Sequence, residues 1–294
     1  MTVPHPVPYS LVDVFTRTRF AGNPLAVIRD GRGLSDRQMH AIAREFGFSE
    51  TTFILPPEGE AATARLRIFT PLEEIPFAGY PNIGSVFVMA TEATAAGPLG
   101  DTVRLEELGG EVRATPIREG GTVVGAEVAA PQRLRRIGAV EPALAARCLG
   151  LPLATIRSDR VPPCVASVGL PFAFVELRSL ADLAGIVTDI AAFREAALRG
   201  PATVDGFAIC AFVPDGIAVR SRVLSPLGHP PEDPATGSAS AALACLLAGE
   251  GDGTYRIRQG VEMGRPSDID VRVAGGQAVI RGDCVRVGHG TLLV

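Results

Sequence analysis

Apolar residues recur along the chain with two periods, and the change from one period to the other marks its predicted elements. From Met39 to Phe46 they follow at i, i+3, i+4 and i+7, which predicts one apolar face of a helix. Ser35 and Gln38 before this run fit a capping box, and Gly47 after it is a typical stop. The pattern therefore predicts a helix that begins just after Ser35.

Further helical segments are predicted in the second half. One covers residues 142–149, with Pro142 at the first helical position and Gly150 after the end. A further helical region covers about 181–198.

Runs in which apolar and polar residues alternate, joined by short Gly-rich turns, predict antiparallel strands. Residues 118–121 read as the turn of a hairpin. The last stretch, 270–287, reads as a meander with turns at 275–276 and 282–283.

The chain repeats a signature. RIFTPL at 67–72 returns as RVLSPL at 222–227, and each copy is followed by Pro-x-x-Gly-Ser, at 81–85 and 234–238. Small and apolar residues after each motif predict a helix that begins at its Ser or just before it. The repetition indicates a duplicated unit, and we expect the two halves to face each other across a cleft.

The length of 294 residues predicts about two domains. We place them at 1–124 and 125–278, and the last strands, about 279–294, could complete the first. The fold class is α+β, with two pseudo-symmetric domains in which an antiparallel barrel-like sheet surrounds one apolar helix.

Composition and charge argue against several classes of partner. A net charge of −4 and 5% aromatic residues give neither a basic surface nor a stacking platform, so nucleic acid is not an expected partner. The N-terminus lacks a signal-peptide pattern and no apolar run is long enough for a membrane helix, so we expect a cytoplasmic protein without a membrane partner. The 5 Cys read as buried thiols, and the 4 His do not indicate a metal site.

Three features could carry chemistry, and each has a simpler interpretation. The two helix starts, with Ser85 and Ser238, could bind a carboxylate through backbone N–H groups, or they could be ordinary helix starts. Asp233 could act on a substrate or only cap the second helix. Glu50, between a helix and an apolar strand, could exchange protons near neutrality or be an exposed loop residue.

Six separated motifs resemble the phenazine biosynthesis PhzF-like isomerase family, from about residue 9 to the C-terminus. They are DVF at 13–15, GNPLAV at 22–27, SETTF at 49–53, PFAGYP at 76–81, EDPATGSA at 232–239, and QG at 259–260 with GRPS at 264–267. The resemblance implies the diaminopimelate epimerase-like fold, with the active site between two domains.

The resemblance also implies roles for residues. Glu50 matches the family's proton-shuttling glutamate and Asp233 its second acidic residue. The positions that match the substrate pocket are Asn23, Ser49, Gly79, Gly237 and Ser238. The implied reaction is a proton transfer within a small carboxylate-bearing substrate, such as a cyclic hydroxy or amino acid, without cofactor or metal. A homodimer is implied by resemblance only.

One position departs from the family pattern. Tyr80 stands where the family usually has His, and Asn82 where Thr is common. We retain Tyr80 as a catalytic candidate and Asn82 and Ser85 as substrate-binding candidates. A phenol is neutral at pH 7, so Tyr80 can donate a hydrogen bond but cannot carry a proton as His⁺ can.

Two other functions stay open at this point. Two-cysteine racemase chemistry needs a Cys at each helix start, whereas Cys245 lies about two turns further along its helix. A non-catalytic binding protein could keep the fold and the cleft without turnover. Loss of the His would agree with it, and retention of both Glu50 and Asp233 argues against it.

Overall fold

The computed structural model describes residues 6–97 and 99–294. The contacts divide this part of the chain into two units. Unit 1 consists of the described residues up to Ala129 together with Arg281–Val294. Unit 2 consists of Ala130–Ile280. None of the helices in the described residues is long and apolar enough to cross a membrane.

The elements of unit 1 follow from the chain order. They are β1 (Pro6–Val14), β2 (Asn23–Ile28), α1 (Asp36–Phe46), β3 (Thr51–Leu55), β4 (Ala64–Phe69), β5 (Glu74–Ile75), α2 (Gly79–Thr91), β6 (Val103–Glu107), β7 (Gly110–Glu119) and β8 (Thr122–Ala129).

Unit 2 begins with β9. Its elements are β9 (Arg135–Ala139), α3 (Pro142–Cys148), a 3-10 turn (Leu153–Thr155), β10 (Ile156–Arg157), β11 (Cys164–Ser167), β12 (Pro171–Leu177), α4 (Leu180–Ala184), α5 (Ile190–Arg199), β13 (Ile209–Asp215), β14 (Ala218–Leu224), β15 (Glu232–Asp233), α6 (Gly237–Ala248), β16 (Gly253–Gln259) and β17 (Ser267–Ala274). The last strand, β18 (Gln277–Leu293), begins in unit 2 and ends in unit 1.

Unit 1 is a closed barrel. Its strands pair in the order β1, β2, β3, β4, β6, β7, β8, β18 and back to β1. Most pairs are antiparallel, whereas β2 with β3 and β4 with β6 are parallel. Closure leaves no open sheet edge. The interior is filled by α2, whose residues 79–89 are all buried, as expected for a helix that is apolar on every side.

Unit 2 has the same plan. Its strands pair in the order β9, β11, β12, β13, β14, β16 and β17, and α6 packs against several of them with residues 237–246 buried. The predicted α+β architecture, a barrel-like sheet around a central helix in each half, is confirmed.

Several local predictions are confirmed. Ser35 caps α1 in a complete capping box, and Gly47 ends the helix at φ 64°. The hairpin between β7 and β8 turns at Gly120 and Gly121, both with positive φ, as a two-residue turn of this type requires. The helix predicted at 142–149 is α3.

The helical region predicted at about 181–198 is confirmed, and it consists of two helices, because α4 ends at Ala184 and Asp189 caps α5. Two other local predictions are wrong. The first repeat's helix begins at Gly79, not near Ser85.

The predicted turn at 282–283 is also wrong, since both residues lie inside β18. Gly282 serves packing instead, because a β-carbon there would lie 2.5 Å from Cδ1 of the buried Phe15 ring. On the neighbouring strand, a β-carbon added at Gly125 would lie 2.0 Å from the Gly282 carbonyl oxygen. These glycines mark close contact, not a change of direction.

We expect Gly125→Ala to lower the free energy of unfolding by about 1–3 kcal/mol or to prevent folding, since the obstructing atom is backbone and cannot move aside. Urea unfolding measures the change. Gly100→Ala is the control, because a β-carbon there meets nothing within 4 Å. Equal stability of the two variants would contradict this packing.

Candidate active site

The repeated Arg of the two signatures forms the same ion pair in each unit. In unit 1, Arg67 on β4 donates from Nε and NH2 to the two carboxylate oxygens of Glu74 on β5, at 2.7 and 2.6 Å. The side chains are only 15% and 26% exposed. A bidentate pair of this kind fixes geometry as well as charge. It clamps the 70–73 turn and directs the chain into the segment before α2.

Unit 2 repeats this arrangement. Arg222 on β14 donates from Nε and NH2 to Glu232 on β15, both at 2.8 Å, with side-chain exposures of 10% and 18%. Its NH1 also donates to the Leu183 carbonyl at 3.0 Å. The Glu232 hydrogen bond is the largest cause that raises the pKa of Arg222, against the effect of burial.

These pairs show the structural register of the duplication. Counting forward from the paired glutamates gives Glu-x-Pro-x-x-Gly in both units, at 74–79 and 232–237, and each Gly is the first residue of a central helix. The Pro-x-x-Gly-Ser match at 81–85 is out of this register. The signal that marks the true register is Glu-x-Pro-x-x-Gly, which the Pro-x-x-Gly-Ser motif does not contain.

The register shows where the two copies differ. Ile75 takes the place of Asp233, and Tyr80 the place of Ser238. The unit 2 copy therefore carries a carboxylate before its helix where unit 1 has an apolar side chain.

In unit 1 the structure brings several predicted site residues to one end of the barrel. Parallel pairing of β2 with β3 puts Asn23, the first residue of β2, at the same end as Ser49 and Glu50, which directly precede β3. The Glu50 backbone N–H donates to the Tyr80 hydroxyl oxygen at 3.1 Å. Tyr80 is 3% exposed and is the second residue of α2, directly after Gly79, so the helix start is linked to the glutamate.

Asn82 and Ser85 lie deeper in unit 1. Both are fully buried. Ser85 donates to the Thr52 hydroxyl at 2.8 Å, which ties the second turn of α2 to β3. Ser85 is therefore not at the helix start, where the sequence placed it.

In unit 2 a polar network holds the loop that carries Asp233. Thr236 donates from its hydroxyl to Oδ2 of Asp233 at 2.5 Å, so the N-cap side chain orients the carboxylate and does not cap α6. Gln259 is 1% exposed and donates to the Asp233 carbonyl at 2.7 Å, and its amide oxygen accepts from the Thr236 backbone N–H at 3.2 Å. Gly237 and Ser238 follow as the first residues of α6, both buried.

The last sequence motif braces the same loop. The Ser267 hydroxyl donates to the Pro234 carbonyl at 2.9 Å. Gly260 has φ 73°, and a β-carbon there would lie 2.6 Å from the Pro234 carbonyl oxygen. The motif of residues 259–260 and 264–267 therefore holds the loop that carries Asp233 through contacts with Pro234. The sequence alone did not assign it this role.

The cysteines do not support two-cysteine chemistry. All 5 are free and buried. Burial raises the pKa of Cys245, on α6, to about 11, which disfavours a thiolate. Within the described ranges no group of three or more His, Cys, Asp or Glu side chains is arranged to hold a metal ion.

Comparison with known proteins identifies the family. The family model PhzC-PhzF, described as phenazine biosynthesis-like protein, matches residues 12–290. The chain belongs to this family. An uncharacterized isomerase of Mesorhizobium japonicum is 37% identical, with 97% of this chain and 98% of that protein covered. The trans-2,3-dihydro-3-hydroxyanthranilate isomerase of Pseudomonas chlororaphis is 35% identical, covering 97% and 99%.

A solved structure agrees on the fold. The Bacillus anthracis phenazine biosynthesis protein of the PhzF family aligns with a TM-score of 0.83 at 19% identity, over 99% of this chain and 100% of that one. The expectation of a PhzF-like isomerase is thus confirmed at the level of the family, and the relatives named isomerases favour an enzyme over the binding-protein alternative. The homodimer stays a prediction.

The repeated ion pair gives a stability test. Glu232→Gln should lower the free energy of unfolding by about 1–3 kcal/mol, because it leaves the largely buried Arg222 guanidinium without its carboxylate. Glu111→Gln is the matched control, since the Glu111–Arg113 pair is 40% and 67% exposed and should contribute less than about 0.5 kcal/mol. Chemical unfolding of both variants measures this, and equal losses would refute the clamp.

Proposed function

We propose that this protein is a cofactor-independent isomerase that moves a proton within a small, cyclic, carboxylate-bearing substrate, with Glu50 as the acid and base. The observation that carries the proposal is the 3.1 Å hydrogen bond from the Glu50 backbone N–H to the Tyr80 hydroxyl. It fixes the glutamate against the first turn of the central helix, at the barrel end where the segment before β3 meets Asn23.

The first requirement of the reaction is a fixed substrate. The start of α2 follows Ala78, a residue with no side-chain capping group, so the first backbone N–H groups of the helix are not capped by it. Such groups suit a carboxylate. Asn23 supplies an amide side chain at the same end of unit 1.

The second requirement is a proton carrier. The Glu50 carboxylate takes a proton from one ring carbon and returns it to another, so a single group serves as base and then as acid. Fixing the substrate relative to that carboxylate supplies much of the rate enhancement, because both carbons stay within reach.

Tyr80 has a positioning role in this proposal. Its hydroxyl accepts the Glu50 N–H, so it holds the glutamate backbone without carrying a proton itself. This accounts for Tyr in place of the family's usual His without loss of the glutamate's function.

Asp233 is the second acidic residue. Its carboxylate is oriented by Thr236, and Gln259 and Ser267 hold its loop, which supports a role that needs a fixed carboxylate. Its participation in the same reaction as Glu50 stays a prediction, as do the roles of Ser49, Gly237 and Ser238.

The direct test is isotope exchange. With trans-2,3-dihydro-3-hydroxyanthranilate as the first probe, then other cyclic hydroxy and amino acids, the wild type in D2O should place deuterium in the product. Glu50→Gln keeps the shape but removes the titratable group, so exchange should fall about 10²- to 10⁴-fold. Mass spectrometry of the product measures it.

Glu45→Gln, an exposed change on α1, is the control and should leave exchange unaltered. If the wild type and Glu50→Gln bind the probe equally and neither exchanges deuterium, the binding-protein alternative is favoured and the proposal is overturned.

The Tyr80 role has its own test. Tyr80→Phe removes the acceptor for the Glu50 N–H and should lower kcat about 3- to 10-fold, in keeping with the loss of one hydrogen bond. Rate measurements on the same probe give the size of the effect. Phe46→Leu is the control, because it changes packing without removing the hydrogen bond to Glu50, and it separates loss of that bond from a general loss of packing. Full activity in Tyr80→Phe would remove Tyr80 from the mechanism.

A further inference from the structure

The amide of Gln259, the last residue of β16, binds the loop that carries Asp233 at both ends. Its oxygen accepts from the Thr236 backbone N–H at 3.2 Å. Its nitrogen donates to the Asp233 carbonyl at 2.7 Å and to the Thr236 hydroxyl oxygen at 3.1 Å. The Gln259 side chain is buried, so these bonds are shielded from water and fix the loop on β16.

The Thr236 hydroxyl has a single proton, and its hydrogen bonds decide where that proton points. Its oxygen accepts from Gln259 Nε2, a group that can only donate. The hydroxyl donates to Oδ2 of Asp233 at 2.5 Å, a distance typical of an O–H that donates to a carboxylate. A Thr at an N-cap ordinarily accepts from its own helix, and Thr236 does not. The bonds therefore form a relay that runs in one direction, from Gln259 through Thr236 to Asp233.

Unit 1 provides an internal comparison, because β6 is the counterpart of β16. Each of these strands follows the central helix and pairs in parallel with the strand of the signature Arg, β6 with β4 and β16 with β14. A Gly after each strand packs on the carbonyl of the signature Pro. A β-carbon at Gly109 would lie 2.7 Å from the Pro76 oxygen, and one at Gly260 would lie 2.6 Å from the Pro234 oxygen. The last residues of β6 and β16 are therefore equivalent.

The two copies share the parts that build the helix start and differ in every member of the relay. Both have the Arg–Glu pair, the Pro and Gly of Glu-x-Pro-x-x-Gly, and the Gly that packs on the Pro carbonyl. Where unit 2 has Asp233, Thr236 and Gln259, unit 1 has Ile75, Ala78 and Glu107. The copy without the carboxylate thus also lacks the hydroxyl and the amide. Since unit 1 forms its helix start without a relay, the comparison indicates that the relay serves the carboxylate.

Resting on the proposed function, in which Asp233 is the second acidic residue, we propose that Gln259 is a positioning residue for the isomerisation. It directs the proton of the Thr236 hydroxyl to Asp233 and so holds that carboxylate in one orientation as a hydrogen-bond acceptor. A hydroxyl that already accepts a hydrogen bond is the stronger donor, so the bond from Gln259 strengthens the bond to Asp233. A carboxylate kept in one orientation stays in its reactive geometry, whereas one that rotates leaves it part of the time.

The hydroxyl is tested with the probe of the exchange assay. Thr236→Val keeps the shape but removes the donor, so kcat/KM should fall about 10-fold, as for a lost hydrogen bond to a charged group. Thr236→Ser keeps the hydroxyl and should restore most of the activity. Thr203→Val is the matched control, because it removes a hydroxyl of unit 2 whose hydrogen bonds go to residues 204 and 208, and it should leave kcat/KM unaltered. Equal losses in Thr236→Val and Thr236→Ser, or in Thr236→Val and Thr203→Val, would overturn the role of the hydroxyl.

A double-mutant cycle tests the route from Gln259 to the carboxylate. Gln259→Met keeps the length of the side chain and removes the amide, and it should lower kcat/KM when Asp233 is present. In an Asp233→Ala background there is no carboxylate to orient, so neither Gln259→Met nor Thr236→Val should cause a further loss. The Tm of each variant shows that it is folded. Losses that add to that of Asp233→Ala would mean that the two residues act on the scaffold, and they would overturn the relay.

The outcomes distinguish failure of the relay from failure of the proposed function. If the wild type exchanges deuterium and Asp233→Ala, Thr236→Val and Gln259→Met exchange it equally fast, the positioning role is overturned and the isomerase function through Glu50 stands. If the wild type exchanges deuterium with none of the probes, the proposed function is overturned and the positioning role falls with it.

Discussion

The bidentate Arg–Glu pair is the interaction on which the rest of each unit depends. In both units an Arg on a strand donates hydrogen bonds to a Glu that follows the next turn of the chain. The central helix begins five residues after that Glu. The pair is largely withdrawn from water, so it is stronger and more directional than a surface salt bridge. It fixes where the helix enters the barrel, and the helix start is where the proposed function places the substrate carboxylate.

Different contacts then specialise the two copies of this arrangement. In unit 1 the Tyr80 hydroxyl holds the Glu50 backbone, so the proposed proton carrier is set by the helix start. In unit 2 the Thr236 hydroxyl orients the Asp233 carboxylate, and Gln259 braces the loop. The N-cap residues Ala78 and Thr236 do not cap their helices by side chain. At both helix starts a side-chain contact to a neighbouring candidate residue is present and a side-chain cap is absent.

Helix α1 shows how far local signals reach. Its capping box, its apolar face and its terminal Gly lie within about a dozen residues, so the interactions that form it are those that the pattern displays. The Gly120–Gly121 turn is similar, because its backbone conformation excludes most other residues. The family motifs also gave Glu50 and Asp233 as candidates, and their roles stay predictions.

The sequence by itself determined the duplication, the capped helix, the hairpin turn and the α+β barrel plan, since each follows from local pattern or from motif order. Only the tertiary structure decided that α2 begins at Gly79 and that Gly282 lies within a strand. The start of α2 depends on the contact of Arg67 with Glu74 across a turn, and the place of Gly282 depends on its contact with Gly125, which is far away in the chain. In both, steric fit and burial override local preference. Periodicity shows which face of an element is apolar, and only packing shows which polar group that face encloses.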